Sequence, residues 1–198
     1  MEPESRSTLP DHFVGLIRFI ELKPMGNSRP NWRLRFRDMS DIEALHPSAR
    51  RVAESLVARG IKGPFFEFQA STKSAADAAQ ALECDVGAIA SCLVFVLDEV
   101  PVVIIKSGAS RVDTKKFAML AGGEVVRQAT PDEVRTATGQ PIGGVSPSNW
   151  PAELRVYIDD SLAAYERIWS ACGTPNAVFA TSFVELQMLT GATVLTLQ

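Results

Sequence analysis

The chain has 198 residues, 46% of them hydrophobic and 22% charged, which is enough apolar material for one domain with a real core. A net charge of −3 excludes a protein that coats nucleic acid by bulk charge, leaving room only for a local basic patch. No apolar run reaches the ~18 residues of a membrane span, no signal-peptide pattern is visible, and Cys84, Cys92 and Cys172 lack metal-ligand spacing, so they read as reduced thiols of a cytoplasmic protein.

Residues 1 to 38 differ from the rest. "KPMGNSRPNWRLRFRD" holds Arg29, Arg33, Arg35 and Arg37 with poor periodicity, and reads as an unpacked basic leader rather than an RNA-binding arm. "MSDIEALHPSARRV" opens on Met39 like a protein start, so residues 39–198 are expected to form the single folded domain.

Further along, "PSARRVAESLVARG" puts Val52, Leu56 and Val57 on one helical face, with Pro47 near the start and Gly60 as a stop. "FFEFQ" (Phe65 to Gln69) reads as a short strand. "STKSAADAAQALEC" reads as a helix capped by Ser71 or Thr72. "ASCLVFVLDEVPVVIIKSG" predicts a hairpin: Ser91 to Leu97, a turn at Asp98-Glu99, then Val100 to Lys106. Its near-continuous apolar strands call for burial on both faces. "DTKKFAMLAGG" is a helix capped by Asp113 and ended by Gly122-Gly123; "EVVRQA" is a strand; "TPDEVRTATG" is a helix with Thr130, Pro131 and Glu133 as its start signal. Strands follow in "ELRVYIDDSL", "RIWSACG" and "NAVFATS", and a last helix in "SFVELQMLTG". Helices and strands that alternate, with tight turns between some strands, imply a mixed α/β sheet with helices packed outside it.

GxxxxGK[ST], GxGxxG after a strand, HExxH and CxxC are all missing, and the only histidines are His12 and His46. A metal site, a histidine-based triad and a cofactor enzyme are therefore not expected. The conspicuous feature is "PIGGVSP", Pro141 to Pro147. It is either a tight structural turn or a cradle that brings a ligand against bare backbone N–H groups.

Five phrases in order, "STKSAADAAQALECDVGAIASCLVFV", "SGASRVDTKKFAMLAGG", "ATPDEVRTATGQPIGGVSP", "YIDDSL" and "ACGTPNAVFATSFVELQMLTGA", resemble the YbaK/EbsC family of prolyl-tRNA synthetase-associated editing domains. The resemblance spans roughly Pro47 to Ala192. It implies an α+β fold whose mostly antiparallel sheet curls into a half-barrel. The implied activity is trans-acting hydrolysis of the ester at the 3′ aminoacyl end of tRNA mischarged with alanine, serine, cysteine or threonine. No cofactor or metal is implied, nor any membrane or DNA; an aminoacyl-tRNA synthetase is a conceivable partner. Gly143 and Gly144 would polarise the ester carbonyl, with Val145, Ser146 and Pro147 completing the loop.

The family lysine at the start of the first hairpin strand falls on Ser91. A turn centred on Asp98-Glu99 sets Ser91 opposite Lys106, so Lys106 is a candidate to supply the missing ammonium from the neighbouring strand; a lysine at a strand end pointing to water is the alternative. Ser107 and Gly108 either line the pocket or turn the chain into the next helix. Asp159 either orients the substrate amino group or caps a helix. Gly173 and Thr174, before Pro175, either border the amino-acid pocket or form a plain turn. Arg111, Lys115 and Lys116 read as a solvated helix face more than as a phosphate contact. Cys92 and Cys172 read as packing, and Trp150 as core or rim. A family member without catalysis, binding a tRNA end or a protein, is the second reading; nucleic-acid binding through the leader is the third.

Overall fold

The hairpin expected from the sequence is the spine of the sheet. In the computed structural model, which describes residues 42–68, 72 and 74–197, β2 (Ile89–Leu97) and β3 (Val100–Ser107) pair antiparallel from Ala90–Ser107 to Leu97–Val100. Asp98 and Glu99 turn the chain with φ of 48° and 62°, the two left-handed residues of a type I′ turn, whose twist matches the strands it joins. The Asp98 carboxylate accepts from the N–H groups of Val125 (2.8 Å) and Glu124 (3.1 Å), which ties this tight turn to the segment that follows the third helix.

Among the described residues there are eight strands and five α-helices. The other strands are β1 (Phe65–Glu67), β4 (Val126–Gln128), β5 (Arg155–Asp159), β6 (Ile168–Ala171), β7 (Ala177–Thr181) and β8 (Thr193–Leu195). The order is β1-β7-β6-β2-β3-β5-β8, with β4 also on β2. Four pairings are antiparallel and three, β2–β6, β3–β5 and β5–β8, are parallel. The sheet is thus mixed and antiparallel by majority.

Alternating residues of β2 serve different faces, as the pleat requires. Ala90, Val94 and Val96 join Val103, Ile105 and Ile158 in the main core, which α1 (Pro47–Ala58) covers with Val52, Ala53 and Leu56. Val134 of α4 (Pro131–Thr138) and Leu186 and Leu189 of α5 (Phe183–Thr190) join the same core. On the opposite face, Ile89, Trp169 and Val178 pack under Ala78, Ala79 and Ala81 of α2 (Ala75–Leu82). Phe95, Val102 and Ile104 pack there with Phe117 of α3 (Thr114–Ala121), whose ring meets Tyr157 edge-on at 5.0 Å. No helix among the described residues is long and apolar enough to cross a membrane.

Helix starts follow their local chemistry. Thr130–Glu133 and Ser182–Glu185 form reciprocal capping boxes, and Asp113 caps α3 through the N–H groups of Lys115 and Lys116. One expectation is corrected. α2 is capped by Ser74, not Ser71 or Thr72, because Asp77 sits three residues on and completes a box with Ser74 alone. The strand expected over Phe65 to Gln69 is β1, Phe65–Glu67. The leader expected over residues 1 to 38 lies outside the described residues.

Candidate active site

Strand β2 has two partners along one edge. β6 pairs with its beginning, at Ile89 and Ala90, and β4 with its end, at Phe95–Leu97. The stretch between them opens onto a cavity of about 330 Å³, within the range of roughly 300–1,000 Å³ usual for small-molecule sites. It is lined by Ser91, Cys92, Leu93 and Lys106 of the hairpin, by Ala75, Ala78 and Trp169, and by Ile142, Gly143 and Val145.

Ser91 and Lys106 are partners in the hairpin register, so their side chains share a face, and both line the cavity. Lys106 does not point freely to water. Its Nζ donates to the carbonyl oxygens of Ser107 (2.7 Å) and Ser110 (2.5 Å), leaving one of the three ammonium protons uncommitted among the described residues. Burial pulls its pKa below the ordinary lysine value, and the Asp159 carboxylate works against that shift.

In the glycine loop, Gly143 has φ of 80° at the third position of a turn closed by Gly144 N–H to Pro141 C=O at 2.9 Å. Gly143 lines the cavity, and its N–H has no partner among the described residues. Gly144 needs to be glycine for a different reason. A Cβ there would sit 2.6–2.8 Å from Thr174 Cα and C and Pro175 N, so the two loops touch main chain to main chain. Its N–H closes the turn, which leaves the Gly143 N–H as the open donor of this pair.

Behind the loop, Gln140 was not anticipated. Its Oε1 accepts from Ser146 N–H at 2.6 Å and its Nε2 donates to Ser148 C=O at 2.9 Å. Ser146 Oγ donates to Ser148 C=O, and Trp150 Nε1 to Ser146 C=O at 3.0 Å. Ser146 and Pro147 are buried and stiffen the loop from outside the cavity; only Val145 of this trio lines it. The only signal for Gln140 in the sequence is its place just before the Pro141–Gly144 turn.

Several other candidates sit away from the cavity. Ser107 Oγ donates to Gly87 C=O (3.0 Å) and accepts from Ala109 N–H, so it builds a turn. A Cβ on Gly108 would lie 2.4 Å from Val86 O, a close backbone approach that only glycine permits. Asp159 is fully buried and caps a short 3₁₀ turn, accepting from Ser161 Oγ (2.7 Å) and N–H (3.4 Å). It reaches toward Lys106 through Ser110, whose Oγ donates to Asp159 at 3.3 Å. Gly173, φ 80°, packs against Val52 of α1. Thr174 supplies the main chain that meets Gly144, and its neighbour Pro175 lines the cavity. Arg111 and Lys115 are exposed.

Cys92 packs against the main core, as expected, and also lines the cavity, with Sγ 3.7 Å from Ser170 Oγ. Desolvation pushes its thiol up to about 12, and the same cause brings Cys172 to about 12. Neither is a thiolate nucleophile at neutral pH.

Known proteins place this arrangement in a class. The model of the aminoacyl-tRNA editing domain family matches residues 69–189, so the chain belongs to the aminoacyl-tRNA editing domain family. It is similar to the protein YwhH of Bacillus subtilis (strain 168), 32% identical over 122 residues that cover 61% of this chain and 76% of that protein. Among solved structures, a proposed trans-editing enzyme for prolyl-tRNA synthetase superposes with a TM-score of 0.74 at 44% identity, covering 78% of this chain and 99% of the other. The protein APE2540 superposes at 0.67 with 30% identity, over 73% and 96%.

Proposed function

We propose that residues 39–198 form a trans-acting deacylase that hydrolyses the ester of tRNA mischarged with a small amino acid of the alanine, serine, cysteine or threonine class. The observation that carries this is one cavity shared by the Gly143 turn, Ser91 and Lys106. Water adds to the ester carbonyl, the acyl–oxygen bond breaks, and the proton passes to the ribose oxygen. The Gly143 N–H polarises the carbonyl, and the Lys106 ammonium steadies the developing negative charge. Ester hydrolysis is undemanding enough that positioning of this kind suffices. Binding pockets separate one methylene by only ~1–3 kcal/mol, so a synthetase's errors need a second site of this size. The enzyme works in the cytoplasm on the aminoacyl end of tRNA and associates with an aminoacyl-tRNA synthetase.

The test is deacylation of Ala-, Ser-, Cys- and Thr-tRNA on matched and mismatched tRNAs, by wild type and Lys106→Ala. Turnover lost in the variant supports the full reading. Turnover that survives keeps the deacylase and removes Lys106 from it. A tRNA-end binding module without catalysis is favoured by one observation, Ser91 at the position of the family lysine. No turnover with tRNA binding intact would establish that second reading instead.

A further inference from the structure

The change of partners along β2 leaves specific backbone groups facing the cavity. The ladder to β6 ends at Ala90–Ser170, and the ladder to β4 begins at Phe95–Gln128. Within an antiparallel pair, alternate residues turn their N–H and C=O toward the partner. Odd-numbered residues of β2 turn theirs to β3, in line with Gly108 N–H donating to Ile89 C=O at 2.8 Å. Even-numbered residues turn theirs to the other edge, where Val94 C=O accepts from Ala129 N–H at 3.2 Å. The N–H and C=O of Cys92 therefore lie on an edge with no strand opposite, among the described residues, and the N–H of Val94 lies at the end of that edge, where Ala129 faces it. Both residues line the cavity.

Backbone polar groups away from bulk water need partners, and the chemistry of this edge defines one. An α-aminoacyl ester carries a donor, its ammonium, and an acceptor, its carbonyl, on either side of one Cα. That is the donor–acceptor spacing of a single residue in a strand. We propose that the open edge of β2 at Cys92 and Val94 receives the main-chain part of the bound amino acid as a one-residue strand. Cys92 C=O accepts from the ammonium. Cys92 N–H donates to the ester carbonyl if the unit runs antiparallel to β2, and Val94 N–H if it runs parallel. This recognition reads the amino group rather than the side chain, so the substrate class is the ester of a free α-amino acid. An N-acylated aminoacyl ester loses the charge and two donor protons and is rejected.

The inference rests on the deacylase reading, and its test separates the two. The full chain, labelled with ¹⁵N, is titrated with non-hydrolysable 3′-aminoacylamido-3′-deoxyadenosines carrying alanine, serine, cysteine or threonine, and with their N-acetyl forms. The expected result is that the Cys92 or Val94 amide resonance moves and exchanges its proton more slowly, while the N-acetyl form binds at least about tenfold more weakly. Binding that moves the Gly143 amide but neither Cys92 nor Val94 overturns the proposal, as does equal affinity for the N-acetyl form. If no analogue binds although mischarged tRNA is turned over, the proposal falls and the deacylase stands. If there is neither binding nor turnover, both fall.

Discussion

Ser91 stands directly across the β2–β3 hairpin from Lys106, and the row continues to Asp159, because Ile105 pairs with Ile158 one residue earlier on β3 and β5. A hydroxyl, an ammonium and a carboxylate thus lie in line on one face of three adjacent strands. The lysine that the family resemblance expects on the first strand is matched by one on the second. Moving it back is the sharpest check. Lys106→Ala is expected to lower kcat/KM for deacylation by about 10²-fold, in the range of losing one charge-stabilising donor. The double variant Ser91→Lys, Lys106→Ser is expected to recover most of that loss. Failure of the swap to recover activity, in a variant that folds, would make the strand of origin matter and not only the charge.

The two glycines of the loop are expected to respond differently to alanine. At Gly143 a Cβ meets nothing closer than Pro175 Cβ at 4.0 Å, but φ is 80°, so Gly143→Ala costs about 1–2 kcal/mol of left-handed strain. At Gly144 the Cβ runs into the main chain of Thr174. Backbone cannot swing aside as a side chain does, so Gly144→Ala costs about 1–3 kcal/mol of overpacking and displaces the loop. Urea unfolding measures both costs. The amide resonances of Thr174 and Pro175's neighbours should shift in the Gly144 variant and stay put in the Gly143 variant.

Thiol chemistry gives a third check. With Cys92 and Cys172 both held at about 12 by burial, native protein at pH 8 is expected to react slowly with a thiolate-selective disulfide reagent at these positions. Denaturant should release both at the rate of a free cysteine. A fast native reaction assigned to Cys92 by peptide mapping would contradict this. Deacylation should survive Cys92→Ala within about tenfold, since the proposed edge uses the Cys92 main chain and not its sulfur.

The hairpin was legible because two apolar runs around a two-residue turn admit one register, and that register fixes which side chains share a face. The helix starts were legible where an N-cap and its glutamate stand three apart, as at Thr130–Glu133. The same rule misled at α2 only because Ser71, Thr72 and Ser74 crowd together, and Asp77 decides among them. What local sequence could not carry is which strand lies beside which. That β6 and β4 share one edge of β2 depends on pairings between stretches far apart in the chain, and the slot between them has no signature in any single phrase. For the same reason Ser107 and Asp159 stayed open between a pocket role and a local turn or cap. Both sit at strand ends outside the cavity lining, where Ser107 Oγ bonds Gly87 C=O and Ala109 N–H, and Asp159 caps the turn at Ser161. The short β8, Thr193–Leu195, went unseen because three residues carry no periodicity.

Acid stability follows from two carboxylates. Bidentate pairing with Arg127, and then the Thr130 N–H, hold the Glu133 carboxyl at about 2, below its usual value. The N–H groups of Val125 and then Glu124 lower Asp98 in the same direction. A folded pKa below the unfolded value means that the stabilisation is complete above the unfolded pKa, about 4.3 for glutamate. It is lost as pH falls through the folded value. The Tm, followed by circular dichroism, should therefore fall between about pH 4.5 and 2. Glu133→Gln should unfold earlier than wild type at pH 7, with the gap closing toward pH 2. A gap that stays constant with pH would remove the ion pair as its cause.

The contact between Gly144 and Thr174 reaches beyond the loop it closes. One loop leaves α4, next to β4, and the other joins β6 to β7. Where they meet, the two halves of the sheet that part along β2 are bolted together at the far rim. The seam between the two loops is consequently set by main-chain atoms, which no rotamer change can shift.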